Sequence, residues 1–133
     1  MAKIERFEDL QSWQKARQLV NLIYEFTGHV EFSRDFRLRD KIRDAAGSVM
    51  HNIAEGFDAG SNLEFIRFLK MARRSASEVQ SELYLALDQR YIGEEDLKSA
   101  YHLATESKKL INGMIGYLRQ HLKSKETTQP HNY

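Results

Sequence analysis

Apolar residues recur at three- and four-residue intervals along most of this chain, the spacing of one face of an α-helix, and the breaks in that rhythm fall mainly at glycines. From about Asp9 to Thr27 the stripe is Leu10, Trp13, Ala16, Val20, Ile23 and Tyr24, and Gly28 is a natural stop. Ser33 or Asp35 can cap a second helix, which carries Leu38, Ile42, Ala45, Ala46, Val49 and Ile53 inward. Gly56 or Gly60 can take the left-handed conformation that ends it. Ser61 and Glu64 have the spacing of a reciprocal capping box, in which each side chain satisfies a free amide at the helix terminus. A third helix then runs to about Gln89 on Phe65, Leu69, Ala72, Ala76, Val79, Leu83 and Leu87. After Gly93, the acidic run Glu94, Glu95 and Asp96 complements the positive end of a helix dipole. It opens a fourth helix that buries Leu97, Ala100, Ala104, Ile111, Ile115, Leu118 and Leu122.

Short connections between amphipathic helices force antiparallel neighbours, and no segment alternates with the period of a strand. The pattern predicts an all-α fold, an antiparallel up-down-up-down four-helix bundle. Residues 1–122 form its single domain, and residues 123–133 form a polar tail that frays. Ile66, Phe68, Tyr84 and Ala86 on the third helix, and Phe26, Phe36, Met50 and Phe57 on the first two, exceed what one stripe per helix needs. They divide between the edges of the core and a subunit interface, since monomers seldom expose large apolar patches. The small residues Ala45-Ala46-Gly47-Ser48 would let a neighbouring helix approach closely.

Composition narrows the chemistry. With no cysteine there are no disulfides, thiolate metal sites or cysteine nucleophiles, which suits a reducing cytoplasm. The first residues mix acids and bases where a signal peptide needs an apolar run, and no apolar stretch approaches a membrane span. The expectation is a cytoplasmic protein without membrane contact. Its 20 basic and 19 acidic side chains leave a formal charge of +1, so attraction to nucleic acid must come from local clustering.

One such cluster is a ridge of Arg67, Lys70 and Arg74 at three- and four-residue spacing, joined in this reading by Arg37 and Lys41 of the second helix. Repeated around an oligomer, these five residues are candidates for binding phosphates; the plainer reading is a solvated face that Glu78 partly neutralises. Asn52 flanks the second stripe and Glu55 lies further round, on the side of Arg37, Lys41 and Ser48, where neither capping nor catalysis calls for them, and Arg73 flanks the third stripe in a way comparable to Asn52. These three are candidates for a polar network that fixes the turn or a subunit contact, or for a spot that recognises a polar ligand.

Of the histidines, only His51 shares a helix face with a carboxylate at four-residue spacing, that of Glu55. No glutamate stands three residues before a histidine as di-iron bundle sites require. No metal, cofactor or catalytic residue is expected. Trp13, Tyr24, Tyr84 and Tyr101 could stack on bases but sit on helical faces as packing residues do.

The run Asn52-Ile53-Ala54-Glu55-Gly56, together with Phe7-Glu8-Asp9-Leu10, Trp13-Gln14-Lys15-Ala16, Ile23-Tyr24 with Thr27, and Leu38 with Ile42-Arg43, resembles the 23S rRNA-intervening-sequence proteins. Ala45-Ala46 with Ser48, Glu64 with Arg67-Phe68-Leu69, Ala72-Arg73 with Ser75, and Glu78 extend the likeness over nearly the whole chain. The resemblance implies a four-helix bundle assembled as a homopentamer. The family's name records where some members are encoded and states no activity. A more distant likeness, to the accessory protein of diversity-generating retroelements, implies by analogy a basic pentamer that associates with nucleic acid and a reverse transcriptase. Three positions depart from the family pattern: Asp44 replaces a frequent arginine, the loop Gly56-Phe57-Asp58-Ala59-Gly60 lacks one, and Arg74 stands where glycine is frequent.

The expectation is therefore a non-enzymatic, homo-oligomeric and pentameric scaffold associated with RNA or DNA. A second expectation is an adaptor for a neighbour-encoded protein without direct nucleic-acid contact. A third is a small hydrolase using His51 and Glu55.

Overall fold

Side-chain caps at two turns decide where the two central helices begin. In the computed structural model, which describes residues 3–128 and side chains as far as residue 122, a 3-10 turn at Phe7–Asp9 leads into α1 (Gln11–Thr27). A short helix α2 (Val30–Arg34) follows, then α3 (Phe36–Phe57), α4 (Asn62–Asp88) and α5 (Glu94–Thr128). The described residues are all helical apart from turns, and none of the helices is long and apolar enough to cross a membrane. Residues 129–133 of the expected polar tail lie outside the described residues.

The α3 stripe is as expected, with Leu38, Ile42, Ala45, Ala46, Val49 and Ile53 all buried. On α1 the stripe is shifted: Leu19 is fully buried, whereas Tyr24 is 50% exposed and carries the Arg43 guanidinium over its ring at 4.4 Å. Of the surplus apolar residues, Phe26, Ile66 and Ala86 belong to the core, Phe68, Met50 and Phe57 are half-buried, and Phe36 and Tyr84 stay exposed.

The extra helix α2 exists because of Phe32, whose ring is fully buried and stacks on Tyr91 with centroids 5.1 Å apart. Coiling the connection into one turn lets it deliver that ring while its backbone groups stay paired. Asp35 rather than Ser33 caps α3, accepting the Leu38 N–H at 3.1 Å through Oδ1, while the Tyr91 hydroxyl donates to its Oδ2 at 2.9 Å. Ser61 caps α4 by accepting the Glu64 N–H at 3.1 Å. The box is one-sided, because the Glu64 carboxylate turns to Arg67 instead, at 2.9 Å.

Helix α4 packs against both α3 and α5, and α1 closes the bundle by packing against α3 and α5. Side-chain contacts fix the direction of the neighbours. The Ser75 hydroxyl of α4 donates to Ser48 of α3 at 2.8 Å, and Gly56 further along α3 meets Phe65 and Phe68 earlier on α4, so the two run antiparallel. Gln80 reaching Thr105 at 2.9 Å and Arg73 reaching Asn112 at 2.8 Å show the same for α4 and α5. The core forms two clusters, one around Ile23, Phe32, Ile42 and Leu83 and one around Trp13, Ile53, Leu69 and Ile111.

Only glycine fits at position 56. A Cβ built there would lie 2.7 Å from the Phe68 Cβ and 2.9 Å from the Phe65 Cδ1. Gly60, by contrast, has open space and is required for its φ of 90° in the loop. Gly56→Ala should therefore lower stability by ~1–3 kcal/mol in urea denaturation. Gly113→Ala on α5, where a Cβ meets nothing within 4 Å, should raise it by ~0.5–1 kcal/mol. Equal effects from the two substitutions would contradict the close approach.

Candidate functional site

The buried stripe of α4 turns its opposite face to solvent, and Arg67, Lys70 and Arg74 stand exposed there. Arg67 pairs with Glu64 at 2.9 Å; among the described residues Lys70 and Arg74 form no ion pair. Arg37 and Lys41 are exposed on α3. The antiparallel register sets Lys41 level with Glu82, which is ~12 Å along the axis from Arg74 at 1.5 Å per residue. The fold thus brings three of the five expected cations together on α4 and holds the other two apart, with Glu78 and Glu82 on the α4 stretch between.

Asn52, Glu55 and Arg73 do not converge within one chain. Asn52 Nδ2 donates to the Ser48 carbonyl at 2.8 Å and to Ser48 Oγ at 2.9 Å, and Ser75 adds its hydroxyl to the same Oγ. This is a polar seam between α3 and α4. Arg73 points the other way, donating to Asn112 Oδ1 of α5 at 2.8 Å. Glu55 is exposed and has no hydrogen bond among the described residues. It borders an open recess of about 370 Å³ beside Gly47, where Tyr24, Arg43, Ser48, His51 and Asn52 also stand. Within that recess Arg43 is fixed by donating from Nε to Thr27 Oγ1 at 2.8 Å. Among the described residues no hydrogen bond or ion pair joins His51 to Glu55, and no group of three His, Cys, Asp or Glu side chains is gathered to hold a metal.

The residue that a search for hydrophobic stripes passes over is Glu82. It is 7% exposed, neither of its carboxylate oxygens has a hydrogen-bond partner among the described residues, and it lines a cleft between α3 and α4 with Lys41, Glu78, Ser81 and Leu85. Burial, reinforced by the charges of Glu78 and Asp44 and opposed by Lys41, pushes its carboxyl up from the usual 4.5 to about 7. A signal for it lies in the spacing Ser75, Val79, Glu82 and Ala86, a second buried stripe that faces α3 and mixes polar with apolar members. Hydrophobicity alone does not pick out such a stripe.

The profile of the 23S rRNA-intervening sequence proteins matches residues 8–113. Among solved structures, a protein of unknown function from the S23 ribosomal protein family of Bacteroides thetaiotaomicron VPI-5482 is similar, at 26% identity and a TM-score of 0.72. That likeness covers 79% of this chain and 95% of the other. Curated proteins offer no match.

Two outcomes are expected from these placements. Asn52→Ala should cost about 1 kcal/mol of chain stability through the removed bonds to Ser48, whereas Glu55→Ala should stay within ~0.5 kcal/mol. Thermal melts of the two variants, compared at one protein concentration, check this pair. Glu82 binds its proton more tightly folded than unfolded, so the folded chain holds more protons between the two pKa values. Its contribution to stability should fall as pH rises from about 4.5 to about 7 and then level off. The loss amounts to ~1–3 kcal/mol. Urea denaturation at pH 5 and pH 8 should show Glu82→Gln gaining on the parent by that amount at the higher pH.

Proposed function

The chain belongs to the family of 23S rRNA-intervening sequence proteins, and on that footing we propose that it is a non-enzymatic, self-associating helical scaffold of the cytoplasm that meets nucleic acid through α4. The observation that carries this reading is the one-sidedness of α4. Its inner face is closed by Leu69, Ala72, Ala76 and Val79, and its outer face presents Arg67, Lys70 and Arg74 within two turns. Three cations so spaced suit a phosphate backbone rather than base edges. Arg37 and Lys41 contribute only where assembly sets the α3 face of one copy near the α4 face of another.

Self-association is supported by large apolar side chains left exposed on the bundle: Met71, Tyr84 and Leu85 on α4, Tyr117 on α5 and Phe36 on α3. A closed ring of five copies, as the family likeness implies, would multiply a modest local charge into a continuous surface. The same apolar side chains favour a second reading, in which the scaffold binds another protein and touches no nucleic acid.

Affinity for single- and double-stranded RNA and DNA, measured against salt concentration, separates the two. The scaffold reading expects log affinity to fall linearly with log salt. Each of Arg67→Ala, Lys70→Ala and Arg74→Ala should then make that slope shallower by ~0.7–0.9 for every phosphate left without its cation. Light scattering at micromolar protein should give about five times the chain's mass. Absence of binding at low salt, with assembly intact, leaves the adaptor reading in possession.

A further inference from the structure

Beside Lys41 the seam between α3 and α4 opens into a cleft of about 510 Å³, lined by Lys41, Glu78, Ser81, Glu82 and Leu85. Its chemistry is lopsided. Two carboxylates one helical turn apart face a single ammonium, and Asp44 of α3 adds negative charge to the field at Glu82. A carboxyl as buried as Glu82 needs a charge-assisted donor, or an acceptor for its proton, and among the described residues it has neither. Lys41 does not supply the donor: it is exposed and, among the described residues, pairs with neither Glu78 nor Glu82.

We propose that this cleft is a binding site for a guanidinium or primary ammonium group on a short aliphatic stem, with Glu82 and Glu78 receiving the cation and Leu85 covering the stem. A guanidinium offers parallel N–H donors to carboxylates and is more weakly hydrated than a metal ion. The field repels anions, and no third donor is gathered to complete a metal's coordination among the described residues. The cleft shares no residue with the ridge of Arg67, Lys70 and Arg74, so the inference goes beyond the nucleic-acid reading; it does share Lys41 with the α3 cations and Leu85 with the assembly reading, and the Glu82 readouts below distinguish its failure from theirs.

Occupancy is linked to a proton. Without a bound cation Glu82, facing Glu78 on its own helix and Lys41 and Asp44 on α3, keeps its proton until about pH 7. A bound cation expels that proton, so affinity rises with pH.

The test uses the full chain, with agmatine as the free cation and a capped Ala-Arg-Ala peptide as the side-chain form, and follows the Glu82 carboxyl by carbon-detected NMR. Saturable binding is expected, with an apparent dissociation constant that falls about tenfold from pH 6 to pH 8 and a Glu82 midpoint that drops by about a unit or more at saturation. Glu82→Gln should weaken binding at least about tenfold, and Lys41→Met, which removes the competing ammonium without touching the carboxylates, should strengthen it several-fold. Tighter binding of the peptide than of agmatine assigns the site to a basic side chain of a partner protein; the reverse order assigns it to a free organic cation. Failure of both probes to saturate, or binding flat in pH and indifferent to Glu82→Gln and Lys41→Met, overturns the proposal. So does a Glu82 midpoint that climbs in Lys41→Met while neither probe binds, because Lys41 would then be the cation the cleft already holds.

Discussion

Helices α3 and α4 approach until the Phe68 Cβ occupies the space where a side chain on Gly56 would begin, and much of the bundle follows from that contact. Close backbones favour small residues where the helices touch, and along the shared seam Ser48 of α3 meets Ser75 of α4. Two hydroxyls placed face to face in a tight seam need partners, and Ser48, Ser75 and Asn52 provide them for one another. Larger side chains fill the two core clusters, Phe32, Leu38 and Leu83 in one and Trp13, Ile66 and Ile115 in the other. The pinned turn thus favours small residues and hydroxyls at the seam together.

How legible this was depends on what each element leaves in the sequence. The α3 stripe reads directly, because every inward position from Leu38 to Ile53 is apolar and the 3.6-residue period is sustained for about four turns. Helix α2 does not read at all. Five residues hold barely one period, and what makes it a helix is the pocket that receives Phe32, a tertiary fact. The end of α4 falls at Asp88, where the pattern put it to within a residue, but its form does not read: Arg90 takes the left-handed conformation at φ 66°, where glycine is the usual signal, and the Tyr91 N–H closes back on the Ala86 carbonyl at 2.9 Å. Asn52 and Glu55 were visible as anomalies, but which partner each takes depends on the neighbouring helix. Glu82 was hidden because charge argues against burial, and only the packing of α3 across it overrules that prior.

Charge is sorted by face more than by amount. A balance of 20 bases against 19 acids describes a chain without a field, yet α4 alone carries an outward basic ridge and an acidic wall toward α3. Buried polar side chains elsewhere are satisfied in pairs. Gln80 spans to Thr105 and to the Lys108 ammonium at 3.0 Å, and Thr27 donates to the Ile23 carbonyl at 2.7 Å while accepting from Arg43. Against that background an unsatisfied Glu82 is conspicuous, since among the described residues the fold pairs its other buried side-chain polar groups.

The closure of the bundle through α1 has a consequence in time. Helix α1 packs on α3 and α5, and the Ser12 hydroxyl meets the Met114 sulfur across 102 residues of chain. On a ribosome α1 is the first of these helices to emerge, and α5, which covers its other flank, is the last. The α3–α4 hairpin, joined by a short loop, can form early from local contacts, whereas Trp13, Leu19 and Ile23 wait with one flank bare until α5 has been made. A nascent chain of this design carries its own unfinished surface through most of its synthesis, and crowded polysomes are where that surface would first meet another copy.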